Sequence, residues 1–147
     1  MKHTKKSRNG FTLIELIIVM VILGIMAAVA VPRYLDSISN AEEAAEDAVI
    51  SSIRAGLKQY ANNSLYESGR ATWPTNPFDA LSEKPAGYSN DVTDADVDGE
   101  WTFSNSRITH QRADNSRFAW DYDEGTQGGG EHAKVGSLGP RPAIVLP

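Results

Sequence analysis

An uninterrupted apolar run, LIIVMVILGIMAAVAV at residues 16–31, constrains this chain more than any other feature of its sequence. Extended back to Phe11, the segment has 21 residues. As a helix at about 1.5 Å per residue it would be roughly 32 Å long, enough to cross the hydrocarbon core of a bilayer. Its single charge is Glu15. A carboxylate there is costly in lipid unless it meets a partner, and the segment holds no cation, so the sequence points to a partner on another molecule.

The segment before it, MKHTKKSRNG, carries four basic side chains. Positive charge ahead of an apolar segment keeps the N-terminus in the cytoplasm and sends the C-terminal side outward. Ala27, Ala28 and Ala30 imitate the small-residue cleavage site of a secretory signal. Against that reading, the apolar run is longer than a usual signal core and leads directly into more helix-forming sequence. A single-pass signal anchor without processing is the simplest alternative.

A basic leader ending in Gly10, then FTLIEL, the apolar run and Pro32, resembles the type IV prepilin family. That family includes type IV pilins and the pseudopilins of type II secretion systems, and the resemblance covers Gly10 to about Arg33. It implies cleavage between Gly10 and Phe11 by a prepilin peptidase, N-methylation of Phe11, and retention of the apolar segment. It also implies that Glu15 pairs with the terminal amine of a neighbouring subunit, which agrees with the cost of leaving either charge alone in an apolar region.

A second helical pattern follows Pro32, which lacks an amide hydrogen and is expected to kink or loosen the helix. Apolar side chains at spacings of three and four predict an amphipathic helix over residues 32–65, ending near residues 62–64 or by Gly69 at the latest. The predicted apolar stripe consists of Tyr34, Leu35, Ile38, Ala41, Ala45, Ala48, Val49, Ile53, Leu57 and Tyr60. Glu46 and other charged residues fall largely on the remaining faces.

The rest of the chain predicts a small head, so the expected class is α+β: a long helix packed on an antiparallel sheet, as in the ladle-shaped pilin fold that the resemblance implies. Residues 66–124 open with a loop whose segment NPFDAL, residues 76–81, either contacts another subunit or packs over the helix. Three stretches rich in aromatic and β-branched residues then predict a three-stranded meander: Trp101–Ser104, 107–112 and 117–122. Residues 125–147 are rich in glycine and proline, which predicts a flexible tail whose residues 143–146 dock at most as an edge strand.

Charge and histidine placement argue against two classes of function. Four of the 14 lysines and arginines lie in residues 1–10 and all 19 acidic residues follow, so the remainder carries 10 basic and 19 acidic side chains. So acidic a chain gives no support to nucleic-acid binding. His3 lies in the leader, His132 in the glycine-rich tail and His110 within a predicted strand, and there is no cysteine. No catalytic arrangement is recognisable, so the chain is not expected to be an enzyme.

The segment DADVDGE at residues 94–100 matches the opening of a calcium-binding loop. Its oxygen ligands would be Asp94, Asp96, Asp98 and Glu100, since alternating carboxylates before a glycine allow a sharp turn around a hard cation. Asn105 stands where a bidentate glutamate would close such a loop. A solvated acidic turn is the other interpretation, and Ca²⁺ is the only cofactor that the sequence suggests.

Together these features predict a filament subunit with its N-terminus in the cytoplasm, its helix in the bacterial inner membrane and its head outside. Residues 1–10 would be a cleaved leader, and residues 11–31 the transmembrane and assembly helix. The implied partners are membrane lipid, other pilins or pseudopilins, a prepilin peptidase with methyltransferase activity, an assembly ATPase and a platform membrane protein. A type II secretion pseudopilin is favoured over a surface pilin. A membrane-anchored calcium- or ligand-binding module that does not assemble is the alternative from another class.

Overall fold

The computed structural model describes residues 10–125 and 136–141. The leader before Gly10, His132 and the expected edge strand at residues 143–146 lie outside the described residues.

One long helix, α1, runs from Leu13 to Ser68 and contains 56 residues. It ends where Gly69 adopts a positive φ of 73° and donates its N–H to the Leu65 carbonyl at 2.9 Å, a termination that glycine favours. The end falls within the predicted limit. Helical backbone continues through Pro32, and a bend at that residue stays a prediction.

The chain divides into two compact units, of which the first reaches to Glu43. The structure describes this first unit from Gly10 onward, and its residues from Leu13 belong to α1. Every residue from Gly10 to Ala41 is exposed. Leu13, for example, is 75% exposed and Met20 66%. A helix with apolar side chains exposed on all faces requires lipid or other protein subunits around it.

The residues from Ala44 onward form the second unit, which we call the head. Its portion of α1 is buried along one line of residues: Glu46, Ile50, Ile53, Leu57 and Ala61. The predicted stripe shares only Ile53 and Leu57 with these positions. Glu46, which the sequence places off the predicted stripe, is nevertheless buried, with an exposed fraction of 0%. The alanines of the predicted stripe offer little apolar area, whereas turning the helix toward Ile50 buries a large side chain.

The head contains an antiparallel sheet with the strand order β1-β2-β3-β4. The strands are Trp101–Ser104, Arg107–Gln111, Arg117–Asp123 and Ser137–Leu138. The first three match the predicted meander to within one residue, which confirms the α+β class. β4 lies in the predicted tail and pairs with β3, a strand that the sequence analysis did not predict. The flexibility of the tail stays a prediction. A strand of two residues is too short to produce a periodic pattern in the sequence.

The two faces of the sheet are covered by different parts of the head. On one face Trp101, Ile108 and Trp120 share the hydrophobic core with the buried isoleucines of α1. The opposite face is polar, and the hydroxyls of Thr102 and Thr109 lie 2.7 Å apart with no exposure. The loop before β1 covers this polar face, since Ala95 is fully buried and its N–H donates to Thr109 Oγ1 at 2.8 Å.

Residues 76–81 pack over the helix, which confirms the second of the two interpretations of NPFDAL. Pro77–Ala80 form a short 3₁₀ helix, capped by Asn76 Oδ1, which accepts from the Phe78 N–H at 3.0 Å. Phe78 is fully buried in the core. At Gly56 of α1, an added β-carbon would lie 2.6 Å from the Ala80 carbonyl oxygen. The 3₁₀ helix can approach α1 this closely because Gly56 has no side chain.

Candidate functional site

The start of α1 forms a capping box between Thr12 and Glu15. Glu15 Oε2 accepts from the Thr12 backbone N–H and from Thr12 Oγ1, both at 2.8 Å. In return the Glu15 N–H donates to Thr12 Oγ1 at 3.3 Å. The two residues thus satisfy backbone groups that a helix start leaves unpaired. Glu15 lies in the first turn of α1. The sequence analysis missed its pairing with Thr12, although the spacing Thr-x-x-Glu signals it.

The capping box precedes the apolar part of α1. We call residues 11–31 the assembly segment after the role that the sequence predicts for them. Among the described residues, α1 is the one helix long and apolar enough to cross a membrane, with a mean hydropathy of 2.9 in its most apolar window. Phe11, at the proposed mature N-terminus, is 90% exposed and lies four residues before Glu15. The segment therefore presents one carboxylate on a rod of exposed apolar side chains. Such a rod can exchange lipid for the apolar segments of other subunits.

A second charged site lies inside the head and was not predicted. Its centre is the carboxylate of Glu46, and its partners are His110, Arg112 and Arg141. We call these four residues the Glu46 cluster. Arg112 donates from Nε to Oε1 and from Nη2 to Oε2, both at 2.7 Å. His110 Nδ1 lies 2.9 Å from Oε1, and Arg141 Nη2 lies 2.8 Å from Oε2. One buried carboxylate therefore joins α1, β2 and the segment after β4.

The partners of Glu46 are themselves held by aromatic rings. The His110 ring stacks on Trp101 with centroids 4.2 Å apart. The Arg112 guanidinium lies 4.1 Å from the centre of the Phe118 ring, a cation–π arrangement. Alternation along β2 could have indicated that His110 shares the inward face with Ile108. No local pattern indicates that Glu46 contacts His110 and Arg112, since they lie 64 and 66 residues further along the chain.

Burial and hydrogen bonding act on Glu46 in opposite directions. Burial acts to raise the pKa of its carboxyl group, but the hydrogen bonds and charges of Arg112 and His110 outweigh burial and lower the pKa to about 2. Glu46 is therefore ionised at neutral pH. A buried carboxylate of this kind is stable only while its partners stay in place.

The four predicted calcium ligands lie in the loop that covers the sheet, and two of them form hydrogen bonds there. Asp94 Oδ1 accepts from Ser104 Oγ at 2.8 Å, and Glu100 Oε2 accepts from the backbone N–H of Asp96 at 3.0 Å. Asp96 and Asp98 are exposed. Within the part of the chain that the structure describes, no three His, Cys, Asp or Glu residues form a group that could hold a metal ion. Calcium binding at this loop stays a prediction.

The fold and the assembly segment define a class of protein: a membrane-anchored subunit with one apolar helix and a small α+β head. Residues 5–31 match the family described as "Prokaryotic N-terminal methylation motif". The chain is 36% identical over 101 residues to the type IV narrow pilus major component of Thermus thermophilus, covering 69% of this chain and 75% of that protein. The chain therefore belongs to the type IV prepilin family, whose members are structural, non-enzymatic subunits.

Two further relatives come from different systems. The chain is 36% identical over 84 residues to type II secretion system core protein G of Pseudomonas aeruginosa, covering 56% of each protein. It is 32% identical over 108 residues to a type IV major pilin protein of Neisseria gonorrhoeae, covering 71% of this chain and 44% of that one. The alignments thus span about half the length of these two relatives. No solved structure matches the chain significantly.

Proposed function

We propose that this protein is cleaved between Gly10 and Phe11, methylated at the new N-terminus, and assembled into a filament through Glu15. The observation that carries the proposal is the single carboxylate of Glu15 at the start of an exposed apolar helix. In the filament, the amine of a neighbouring Phe11 supplies the counter-charge. Pairing then neutralises two groups that are each costly in an apolar environment.

The processing and assembly partners follow from family membership and the basic leader. The leader keeps the N-terminus in the cytoplasm, where a prepilin peptidase cuts and methylates the chain, while α1 crosses the inner membrane and the head lies outside. An assembly ATPase and a platform membrane protein then extract subunits from the membrane and stack them. Their apolar segments exchange lipid for one another.

The capping box makes it possible to separate the charge of Glu15 from its role at the helix start. Glu15→Gln keeps an acceptor for Thr12 but removes the charge, whereas Thr12→Val removes the hydroxyl and keeps Glu15. We expect Glu15→Gln and Glu15→Ala to be processed and inserted normally but to form few or no filaments. Filament yield in sheared fractions, measured beside mature-size protein on a gel, tests this.

Two controls make the result decisive. Gly10→Arg marks the unprocessed size and should itself remain uncut. Thr12→Val should retain most of its filaments, because a lost cap costs only about 1 kcal/mol of helix stability. Normal filament yield from Glu15→Gln would refute the charge-pairing mechanism.

For the system that the filament serves, we propose the pseudopilus of a type II secretion system, in line with the similarity to core protein G. The second candidate is a surface pilus, favoured by the longer coverage of the Thermus thermophilus pilus component. Deleting the gene separates the two. Loss of exoprotein secretion with surface fibres unchanged supports the pseudopilin, and loss of surface fibres with secretion unchanged supports the pilin.

A further inference from the structure

Residues 136–141, which we call the strap, cover the edge of β3. Tyr122 pairs with Leu138 and Asp123 with Ser137. The Gly139 N–H donates to the Asp121 carbonyl at 2.9 Å, and the Gly136 N–H donates to the Asp123 carbonyl. The strap therefore occupies backbone groups at one edge of the sheet that would otherwise be available for pairing with another strand.

Strand pairing by itself is a weak attachment for the strap. β4 has two residues, and Leu138 is its one buried side chain. Short two-stranded pairings are marginal in water, because ordering the backbone costs about as much as the few hydrogen bonds return. The strap needs a further attachment to stay closed.

Charged contacts to α1 supply that attachment. Arg141 Nη2 lies 2.8 Å from Glu46 Oε2 and 3.2 Å from Asp47 Oδ1. Arg54 Nη2 donates to the Gly139 carbonyl at 3.2 Å. Because Glu46 has no exposure, its pairing with Arg141 is screened far less by water than a surface ion pair.

We infer that the strap is a latch, closed over the edge of β3 by the Glu46–Arg141 pair, and that it opens as a unit without unfolding the head. An open strap leaves the backbone groups of Asp121 and Asp123 unpaired. Such a sheet edge can pair with a strand of another chain. The Glu46 cluster thus keeps the strap paired with β3 and also links the sheet to α1. This inference stands independently of filament assembly.

Amide hydrogen exchange followed by NMR on the full chain in detergent micelles tests the latch. The reporters are Gly139, whose N–H bonds from the strap to Asp121, and Tyr122, whose N–H bonds to the Ser106 carbonyl on the other side of β3. Arg141→Gln should raise the exchange rate of Gly139 by about tenfold or more, because it removes one charge-assisted hydrogen bond that holds the strap closed. The exchange rate of Tyr122 should rise by much less, because Arg112 and His110 still hold the Glu46 carboxylate.

Three further variants complete the experiment. Arg141→Lys keeps the charge without the forked geometry and should give an intermediate rate for Gly139. Glu46→Gln should accelerate Gly139 at least as much as Arg141→Gln. Arg70→Gln, an exposed arginine at the other end of the head's helix, should change neither reporter. An unchanged Gly139 rate in Arg141→Gln, or equal acceleration of Gly139 and Tyr122, would overturn the latch.

Discussion

A carboxylate that is fully removed from water, as Glu46 is, costs several kcal/mol unless charged partners replace its hydration. Two guanidinium groups and an imidazole surround this one. Removing the carboxylate would leave Arg112 buried with its main counter-charge lost. At the scale of single residues, a small chemical change at Glu46 therefore has a large structural effect on the head.

Glu46 makes the stability of the head depend on pH. Its pKa falls from 4.5 to about 2 on folding, so its contribution is fully present above about pH 4.5 and is lost as the pH falls toward 2. At about 1.4 kcal/mol per unit, the loss amounts to roughly 3 kcal/mol. We expect the free energy of unfolding to fall by about this amount over that interval, measured by urea titration of tryptophan fluorescence in non-ionic micelles.

Two variants identify the source of this dependence. Glu46→Gln should be less stable than the parent at pH 7, and the difference between them should shrink toward pH 2. Asp47→Asn, an exposed neighbour that also contacts Arg141, should keep the pH dependence of the parent. An equal slope in Glu46→Gln and the parent would assign the dependence to other groups.

At the scale of elements, the fit between α1 and the 3₁₀ helix depends on Gly56. Alanine is the better helix former by about 1 kcal/mol, so Gly56→Ala would stabilise an isolated helix. In this protein the new β-carbon would meet backbone atoms of Ala80, which cannot move aside as a flexible side chain would. We expect Gly56→Ala to lower the free energy of unfolding by about 1–3 kcal/mol, as overpacking does.

Ser51→Ala is the matched control for that substitution, since Ser51 is an exposed position of the same helix. It should leave the urea midpoint of the head unchanged or slightly raised. A Gly56→Ala variant as stable as Ser51→Ala would mean that the 3₁₀ helix shifts freely away from α1.

Elements with a strong local signal were predictable from the sequence, and arrangements that depend on distant residues were not. The apolar run before Pro32 and the alternation of Phe118, Trp120 and Tyr122 gave α1 and β3 directly. The burial of Glu46 depends on Arg141, 95 residues away, so no local pattern could reveal it. The site at Glu15, which rests on local sequence, stays a prediction, and the sequence analysis missed the Glu46 cluster entirely.

At the scale of the whole molecule, the two units have separate sources of stability. All buried residues of α1 lie at Glu46 or beyond, within the head. A chain that begins at Tyr34 and so lacks the assembly segment should stay soluble without detergent and unfold at the same urea concentration as the full chain. Light scattering and tryptophan fluorescence measure the two properties.

The full chain in micelles is the reference for this comparison, and the full chain without detergent should aggregate through its exposed apolar segment. A truncated chain with a clearly lower urea midpoint would show that residues before Tyr34 stabilise the head.

The order of the strands has a kinetic consequence. Every pairing in the sheet joins strands that are consecutive along the chain. The turn between β1 and β2 is also preset, since Asn105 and Ser106 both take the positive φ angles that tight hairpins use. Pairings between consecutive strands close short loops, so the strands of the sheet spend little time unpaired during folding. Because unpaired strand edges are the surfaces through which folding chains aggregate, early pairing limits aggregation between newly synthesised copies of the chain.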